Sequence, residues 1–74
     1  MDREASEFFN VHGWSICEND RLTCERGNKY IIRFDKKLQD FFAHEYTGNV
    51  IHAQGTHLAL LDTETMTPIL EERS

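Results

Sequence analysis

Histidine and cysteine are the residue types in this chain most able to do chemistry, because imidazole nitrogen and thiolate sulfur are the ligands that zinc prefers. The sequence has four histidines and two cysteines. Their spacings lack the close C-x-x-C pair of small zinc modules: His12-x4-Cys17, Cys17-x6-Cys24 and His52-x4-His57. We therefore predict no metal site and no cofactor, and keep a zinc-stabilised module as the third functional hypothesis.

A nucleophilic site could be assembled from Cys17 or Cys24 together with His44 and Asp40. A catalytic thiolate needs an electropositive and partly open setting, whereas a glutamate directly follows each cysteine. No pair of carboxylates stands out as a general acid and base. The phosphate-binding patterns G-x-x-x-x-G-K-[ST] and G-x-G-x-x-G are also missing from the sequence. We therefore predict that the protein is not an enzyme.

The charge of the chain is unevenly distributed. Its formal net charge is −5, yet residues 26–37 carry five bases and one acid between two acidic flanks. Basic residues interleaved with aromatic ones can contact phosphates and stack on the bases of single-stranded nucleic acid. The residues available for such a site are Arg26, Lys29, Tyr30, Arg33 and Phe34. The overall acidity argues against duplex binding, for which a basic domain is expected.

A β-hairpin centred on Gly27-Asn28 must position these residues. Two strand-like runs, 21–26 and 29–35, flank the dipeptide, whose residues tolerate positive φ. Counting outward from this turn pairs Thr23 with Ile32. An earlier strand over 14–18 would then complete two apolar faces of the sheet. The predicted core face holds Trp14, Ile16, Thr23, Tyr30, Ile32 and Phe34, and the second face holds Cys17, Leu22, Cys24, Ile31 and Arg33.

The loop before the hairpin leaves the register of the first strand open. A two-residue loop, Asn19-Asp20, places Ile16 opposite Thr23, whereas a four-residue loop places Cys17 opposite Cys24. The two cysteines are predicted to be reduced thiols inside the cell, and an exported chain could pair them as a disulfide.

Two helices are predicted around this sheet. The first covers Asp2 to Val11, with acidic residues in its first turn and Gly13 placed to end it. The second lies near 36–46, with Asp35 as N-cap and Gly48 after its C-terminus. Its apolar stripe has helical spacing: Leu38, Phe41, Phe42 and Tyr46. Against this helix, Phe42, His44 and Tyr46 also alternate as in a strand.

The remaining chain is predicted as a C-terminal meander with strands over 50–53, 57–61 and 67–70, followed by a solvated tail over 71–74. The predicted fold class is thus α+β, with an N-terminal helix, an antiparallel sheet of hairpins and a second helix near 36–46. The alternative is a mostly-β small barrel or sandwich in which 40–46 is also a strand. At 74 residues the chain is expected to form a single domain over 1–74.

The compartment and the partner follow from composition. No apolar run approaches the roughly 20 residues that cross a bilayer, and the acidic start after Met1 lacks a secretory pattern. We therefore expect a cytoplasmic protein without a membrane partner. The leading functional hypothesis is a small acidic module that binds and regulates or inhibits a protein partner without catalysis, with homodimerisation as a possibility. The expected contact residues are Trp14, Leu22, Ile31 and Arg33. Single-stranded nucleic acid is the alternative partner.

Overall fold

The computed structural model describes residues 3–70, so the predicted tail over 71–74 lies outside the described residues. Antiparallel β-strands dominate this part of the chain. The strands are β1 (Ala5–Phe9), β2 (Ser15–Cys17), β3 (Arg21–Thr23), β4 (Lys29–Asp35), β5 (Asp40–Thr47), β6 (Val50–Ile51), β7 (Thr56–His57) and β8 (Thr67–Pro68). Two short 3-10 turns, Leu58–Leu60 and Thr63–Thr65, separate β7 from β8.

The strands form two sheets. The main sheet has the order β6-β5-β4-β3-β8, and β7 also pairs with β5, nearer the start of that strand than β6 does. β1 and β2 pair with each other in a separate two-stranded sheet. The longest ladder joins β4 to β5, from Asp35 opposite Asp40 to Lys29 opposite Tyr46. The β4–β5 hairpin therefore forms the centre of the main sheet, to which the other strands add.

The core lies on one face of the main sheet, which we call the inner face. Side chains at alternate strand positions point inward because successive Cβ atoms lie on opposite faces of a strand. β2 and the C-terminal segment supply the apolar cover over this face. The buried cluster consists of Ile16, Leu22, Ile32, Phe41, Ala43, Leu58 and Met66.

The predicted helix over Asp2 to Val11 is wrong. Asp2 lies outside the described residues, and Ala5–Phe9 is a strand that pairs with β2. Ser6 is buried, and its hydroxyl donates a hydrogen bond of 2.6 Å to the carbonyl of Ile16. The inward side chains are thus at every second residue, Ser6 and Phe8, which is the spacing of a strand and not that of a helix. Gly13, with φ of +78°, lies in the turn before β2.

The predicted helix near 36–46 is also wrong, and with it the α+β fold class. The chain reverses over 36–39, where the Asp35 carboxylate accepts hydrogen bonds from the backbone amides of Lys37 and Leu38 at 2.9 and 3.1 Å. Asp35 thus initiates a turn instead of capping a helix. Leu38 at the tip of the turn is 62% exposed, although the predicted helix would have placed it in the buried apolar stripe. The alternation of Phe42, His44 and Tyr46 was the correct indication: the fold is mostly β, with antiparallel sheets that are not closed.

The hairpin at Gly27-Asn28 exists, but its predicted register is wrong. Leu22 faces Tyr30 and Thr23 faces Lys29, so residues 24–28 form a longer connection than two residues. Cys24 closes this connection, with its amide donating to Asn28 and its carbonyl accepting from Gly27, both at 2.9 Å. A shift by an odd number of residues turns a strand over. Leu22 consequently lies in the core.

The predicted pairing of the 14–18 strand with the 21–26 strand is likewise absent from residues 3–70, because β2 pairs with β1. Both cysteines are free thiols. The predicted C-terminal meander is wrong, because β6 and β7 both pair with β5 and β8 pairs with β3. Short strands lie within the predicted ranges 50–53 and 67–70, with Pro68 in the terminal strand of the sheet, but the strand predicted over 57–61 is mainly the 3-10 turn Leu58–Leu60. No helix within the described part is long and apolar enough to cross a membrane.

Candidate functional site

The candidate site is the face of the main sheet opposite the core, which we call the outer face. Its strand positions follow from the register: Arg21 lies beside Ile31, Ile31 beside His44, and Arg33 beside Phe42. The outer face comprises Arg21, Thr23, Lys29, Ile31, Arg33, Asp35, Asp40, Phe42, His44, Tyr46, Ile51 and His57. The cationic side chains of this face thus lie on β3 and β4, and its aromatic rings lie on the neighbouring β5.

Three permanent cations lie on the outer face and are exposed: Arg21, Lys29 and Arg33. The two carboxylates at outer strand positions, Asp35 and Asp40, face each other at the end of the β4–β5 hairpin. Both are already engaged, Asp35 by the turn amides and Asp40 by His57. Within residues 3–70 the three cations form no salt bridge with a carboxylate and are thus available to an external anion.

Arg21 and Tyr46 form the first aromatic element of the outer face. The guanidinium carbon lies 5.1 Å from the centroid of the Tyr46 ring, within the range of a cation–π interaction. Tyr46 is buried beneath it, as is Ile31 on the intervening strand. The guanidinium, rather than the phenol ring, is therefore the planar group that this end of the face offers for stacking.

Phe42 and His57 form the second aromatic element. Their ring centroids are 4.5 Å apart, with an interplanar angle of 44°. His57 Nδ1 lies 2.8 Å from Asp40 Oδ2. The hydrogen bond from His57, followed by that from the amide of Phe41, lowers the pKa of Asp40 below its usual value. Asp40 is consequently a carboxylate near neutral pH and orients the imidazole ring.

His44 fixes the loop between β6 and β7 against the sheet. Its Nδ1 lies 2.9 Å from the carbonyl oxygen of His52, so this nitrogen carries the proton. A methyl group built on Gly55 would come within 2.7 Å of His44 Nε2. The imidazole therefore packs directly on the glycine backbone, and the loop can approach only because residue 55 has no side chain.

Two open grooves run between this loop and β4. One, of about 450 Å³, extends towards Glu18 and Asn19, and the other, of about 300 Å³, reaches Phe42 and Gly55. Arg33 and His44 line both grooves. Both grooves are open to solvent rather than enclosed, so a ligand lying against Arg33 would be only partly covered.

The residues predicted for nucleic-acid binding separate into two groups in the structure. Lys29 and Arg33 lie on the outer face, whereas Tyr30 and Phe34 point to the inner face and pack half-buried against the core. Arg26 lies exposed in the 24–28 connection. The outer face thus keeps the predicted cations and takes its rings from β5 instead.

The residues predicted for protein binding do not form one exposed surface. Leu22 is fully buried in the core, and Ile31 is buried under the outer face. Arg33 is exposed on the main sheet, while Trp14 is 52% exposed beside the β1–β2 turn, where its ring stacks on His12.

The residues considered for zinc or for thiol chemistry are not assembled with one another. His44 contacts a backbone carbonyl, and His57 contacts Asp40. Across residues 3–70, no three histidine, cysteine, aspartate or glutamate side chains are grouped so that they could hold a metal ion.

Phe42, His44, Tyr46 and His57 are the site residues that sequence reasoning missed. The signal that could have found them is the alternation over 42–46, which predicts three side chains on one face of a strand. His57 carries no such signal, because its position depends on the pairing of a two-residue strand with β5.

Comparison with known proteins finds no matching protein family, no matching curated sequence and no matching solved structure. The fold and the site alone thus describe a small antiparallel β protein whose outer face is basic and aromatic.

Proposed function

We propose that this domain binds single-stranded nucleic acid on the outer face of its main sheet. The observation that carries the proposal is that Arg21, Lys29 and Arg33 share one exposed surface with Phe42 and His57. Single-strand binders combine cations that follow the backbone with planar groups on which bases stack. Both components are present here on four paired strands, β3, β4, β5 and β7.

The dimensions of the face suit a short single strand. Phe42 and Tyr46 are four residues apart on β5, which corresponds to about 13 Å along the strand. The Phe42–His57 pair and the Arg21 guanidinium over Tyr46 therefore offer two separate stacking positions. Because guanidinium planes as well as aromatic rings stack on bases, two nucleotides could be held, with Arg33 beside the first position and Lys29 beside the second.

Because the net charge of the chain is −5, we expect nucleic-acid binding to be weak and confined to this face. A duplex presents a continuous charged surface and keeps its bases stacked, so it would gain only the phosphate contacts of this face. A single strand gains stacking as well. We therefore expect preference for single strands over duplexes of the same sequence.

The test is fluorescence anisotropy with a labelled 12-nucleotide strand of mixed sequence and with its duplex, both at low salt. Binding of the single strand at micromolar protein supports the proposal, and Arg33→Ala should weaken it about tenfold. Lys37→Ala is the matched control, because it removes the same charge from the exposed β4–β5 turn. No binding at high micromolar protein, or equal weakening by both variants, would contradict the proposal.

Binding of a protein partner without catalysis is the second candidate function. It is favoured by three large apolar side chains that are about half exposed near the β1–β2 turn: Phe9, Val11 and Trp14. Tryptophan is enriched among the residues that dominate interface energies. The test is affinity purification with the wild type and the Trp14→Ala variant. A partner lost with Trp14→Ala supports this candidate, and a partner retained equally by both contradicts it.

A further inference from the structure

We infer that the row Arg33–Phe42–His57 is a nucleotide subsite that prefers ribonucleotides to deoxyribonucleotides; this inference rests on the proposed function. The row crosses three hydrogen-bonded strands, since Phe42 lies opposite Arg33 on one side and opposite His57 on the other. It therefore places a cation, a ring and an imidazole side by side at the spacing of neighbouring strands, about 4.8 Å.

Asp40 determines which nitrogen of His57 meets a ligand. The carboxylate lies 2.8 Å from Nδ1 and is ionised near neutral pH, so it holds the proton on that nitrogen. In the neutral imidazole, Nε2 is then a hydrogen-bond acceptor. The His57 side chain is 51% exposed, which leaves room for a ligand at the ring.

A ribose 2′-hydroxyl is the group that such an acceptor distinguishes. RNA carries this donor on every sugar and DNA lacks it, and this hydroxyl lets a protein tell the two apart. A base placed against Phe42 would have its sugar within reach of His57, because the two ring centroids are 4.5 Å apart. Deoxyribose has no 2′-hydroxyl, so in a DNA complex Nε2 would have no hydrogen-bond donor from the sugar.

Arg33 supplies the phosphate contact of the same subsite. Its side chain is exposed, lines both grooves and makes no ion pair or side-chain hydrogen bond within residues 3–70. Guanidinium forms two parallel hydrogen bonds with phosphate oxygens. The subsite is thereby assigned as phosphate on Arg33, base on Phe42 and sugar hydroxyl on His57.

The inference is tested with three strands of one sequence: RNA, DNA, and RNA with 2′-fluorine in place of each hydroxyl. Fluorine keeps the ribose-like sugar shape but removes the donor. We expect RNA to bind about three- to tenfold more tightly than the other two, the factor expected for one added neutral hydrogen bond. Equal binding of RNA and DNA, or of RNA and its fluorinated form, overturns the inference while leaving the proposed function intact. Absence of binding to all three contradicts the proposed function itself.

The variant His57→Phe keeps a ring against Phe42 and removes Nε2, so it should bring RNA and DNA to equal affinity. His12→Phe is the matched control, because His12 also stacks on an aromatic ring but lies beside the β1–β2 turn. It should keep the preference for RNA. Persistence of that preference in His57→Phe, with an unchanged melting temperature, would also overturn the inference.

Discussion

Arg21 on β3 reaches across β4 to the Tyr46 ring on β5, with its guanidinium carbon 5.1 Å from the ring centroid. Ile31 lies on the strand between them, opposite both Arg21 and His44. This arrangement explains how Ile31 and Tyr46 are buried on the face of the sheet opposite the core. Long arginine side chains can cover apolar surface with their stems while the charge stays in water.

Replacing Arg21 should therefore lower stability as well as binding. We expect Arg21→Ala to reduce the free energy of unfolding by about 1 kcal/mol, from the lost cation–π contact and the lost cover over Ile31. Urea denaturation followed by tryptophan fluorescence measures this change. Arg26→Ala is the control, since Arg26 is exposed in the 24–28 connection. An equal loss in the two variants would show that the contact with Tyr46 has no stabilising effect.

Salt dependence gives an independent count of the phosphate contacts. Each phosphate neutralised on a single strand contributes about −0.7 to the slope of log K against log salt. Three contacts, from Arg21, Lys29 and Arg33, predict a slope of about −2 for the wild type. Lys29→Ala should make the slope shallower by about 0.7, whereas Lys37→Ala should leave it unchanged. Anisotropy titrations over a series of salt concentrations provide the slopes, and a flat response would contradict an electrostatic mode of binding.

The sequence predicts part of this face and fails on the rest for a physical reason. The bounds of β4 and the positions of Lys29 and Arg33 follow from a run of β-branched and aromatic residues after a turn. The segment 36–46 could not be decided from the sequence, because helical spacing and strand alternation coexist there. An aspartate such as Asp35 begins either a helix or a turn, since its side chain accepts nearby backbone amides in both. The long ladder with β4 decides in favour of the strand.

The register of the first hairpin could not be read from its turn residues either. Gly27 has the positive φ expected of it, at 92°. The turn nevertheless uses five residues, because Leu22 gains more from burial in the core than Thr23 would. Packing of the inner face thus overrides the local preference for a two-residue loop, and the composition of both faces changes with it.

The stability of the protein should fall in acid partly through Asp40. The pKa of this carboxyl is lowered in the folded state by the hydrogen bonds from His57 and from the amide of Phe41. Its contribution is therefore complete above the pKa of an unfolded aspartate, about 3.9, and is lost as the pH falls through the lower folded value. Urea denaturation at pH 6 and at pH 3 measures the free energy of unfolding at each pH. The decrease between pH 6 and pH 3 should be smaller for Asp40→Asn than for the wild type. An NMR titration should place the midpoint of Asp40 below that of a solvent-exposed aspartate in a model peptide. A midpoint at the peptide value would contradict the assignment.

The contact between Gly55 and His44 allows a test of how the grooves are built. An alanine at position 55 would place its methyl group 2.7 Å from His44 Nε2 and 2.9 Å from Cε1. The imidazole cannot swing away freely, because Nδ1 is held 2.9 Å from the carbonyl of His52. We expect Gly55→Ala to cost about 1 to 2 kcal/mol, as overpacking does elsewhere, and to weaken nucleic-acid binding by displacing the loop that lines both grooves.

A double-mutant cycle separates this clash from a general effect on the loop. In the His44→Ala background the ring is gone, so Gly55→Ala should cost less than half as much as in the wild type. Urea denaturation of the four proteins measures the coupling energy. Equal costs in the two backgrounds would mean that His44 does not limit the space at position 55. A coupling of about 1 kcal/mol would establish that the imidazole holds the β6–β7 loop against the glycine backbone and so shapes the surface beside Arg33.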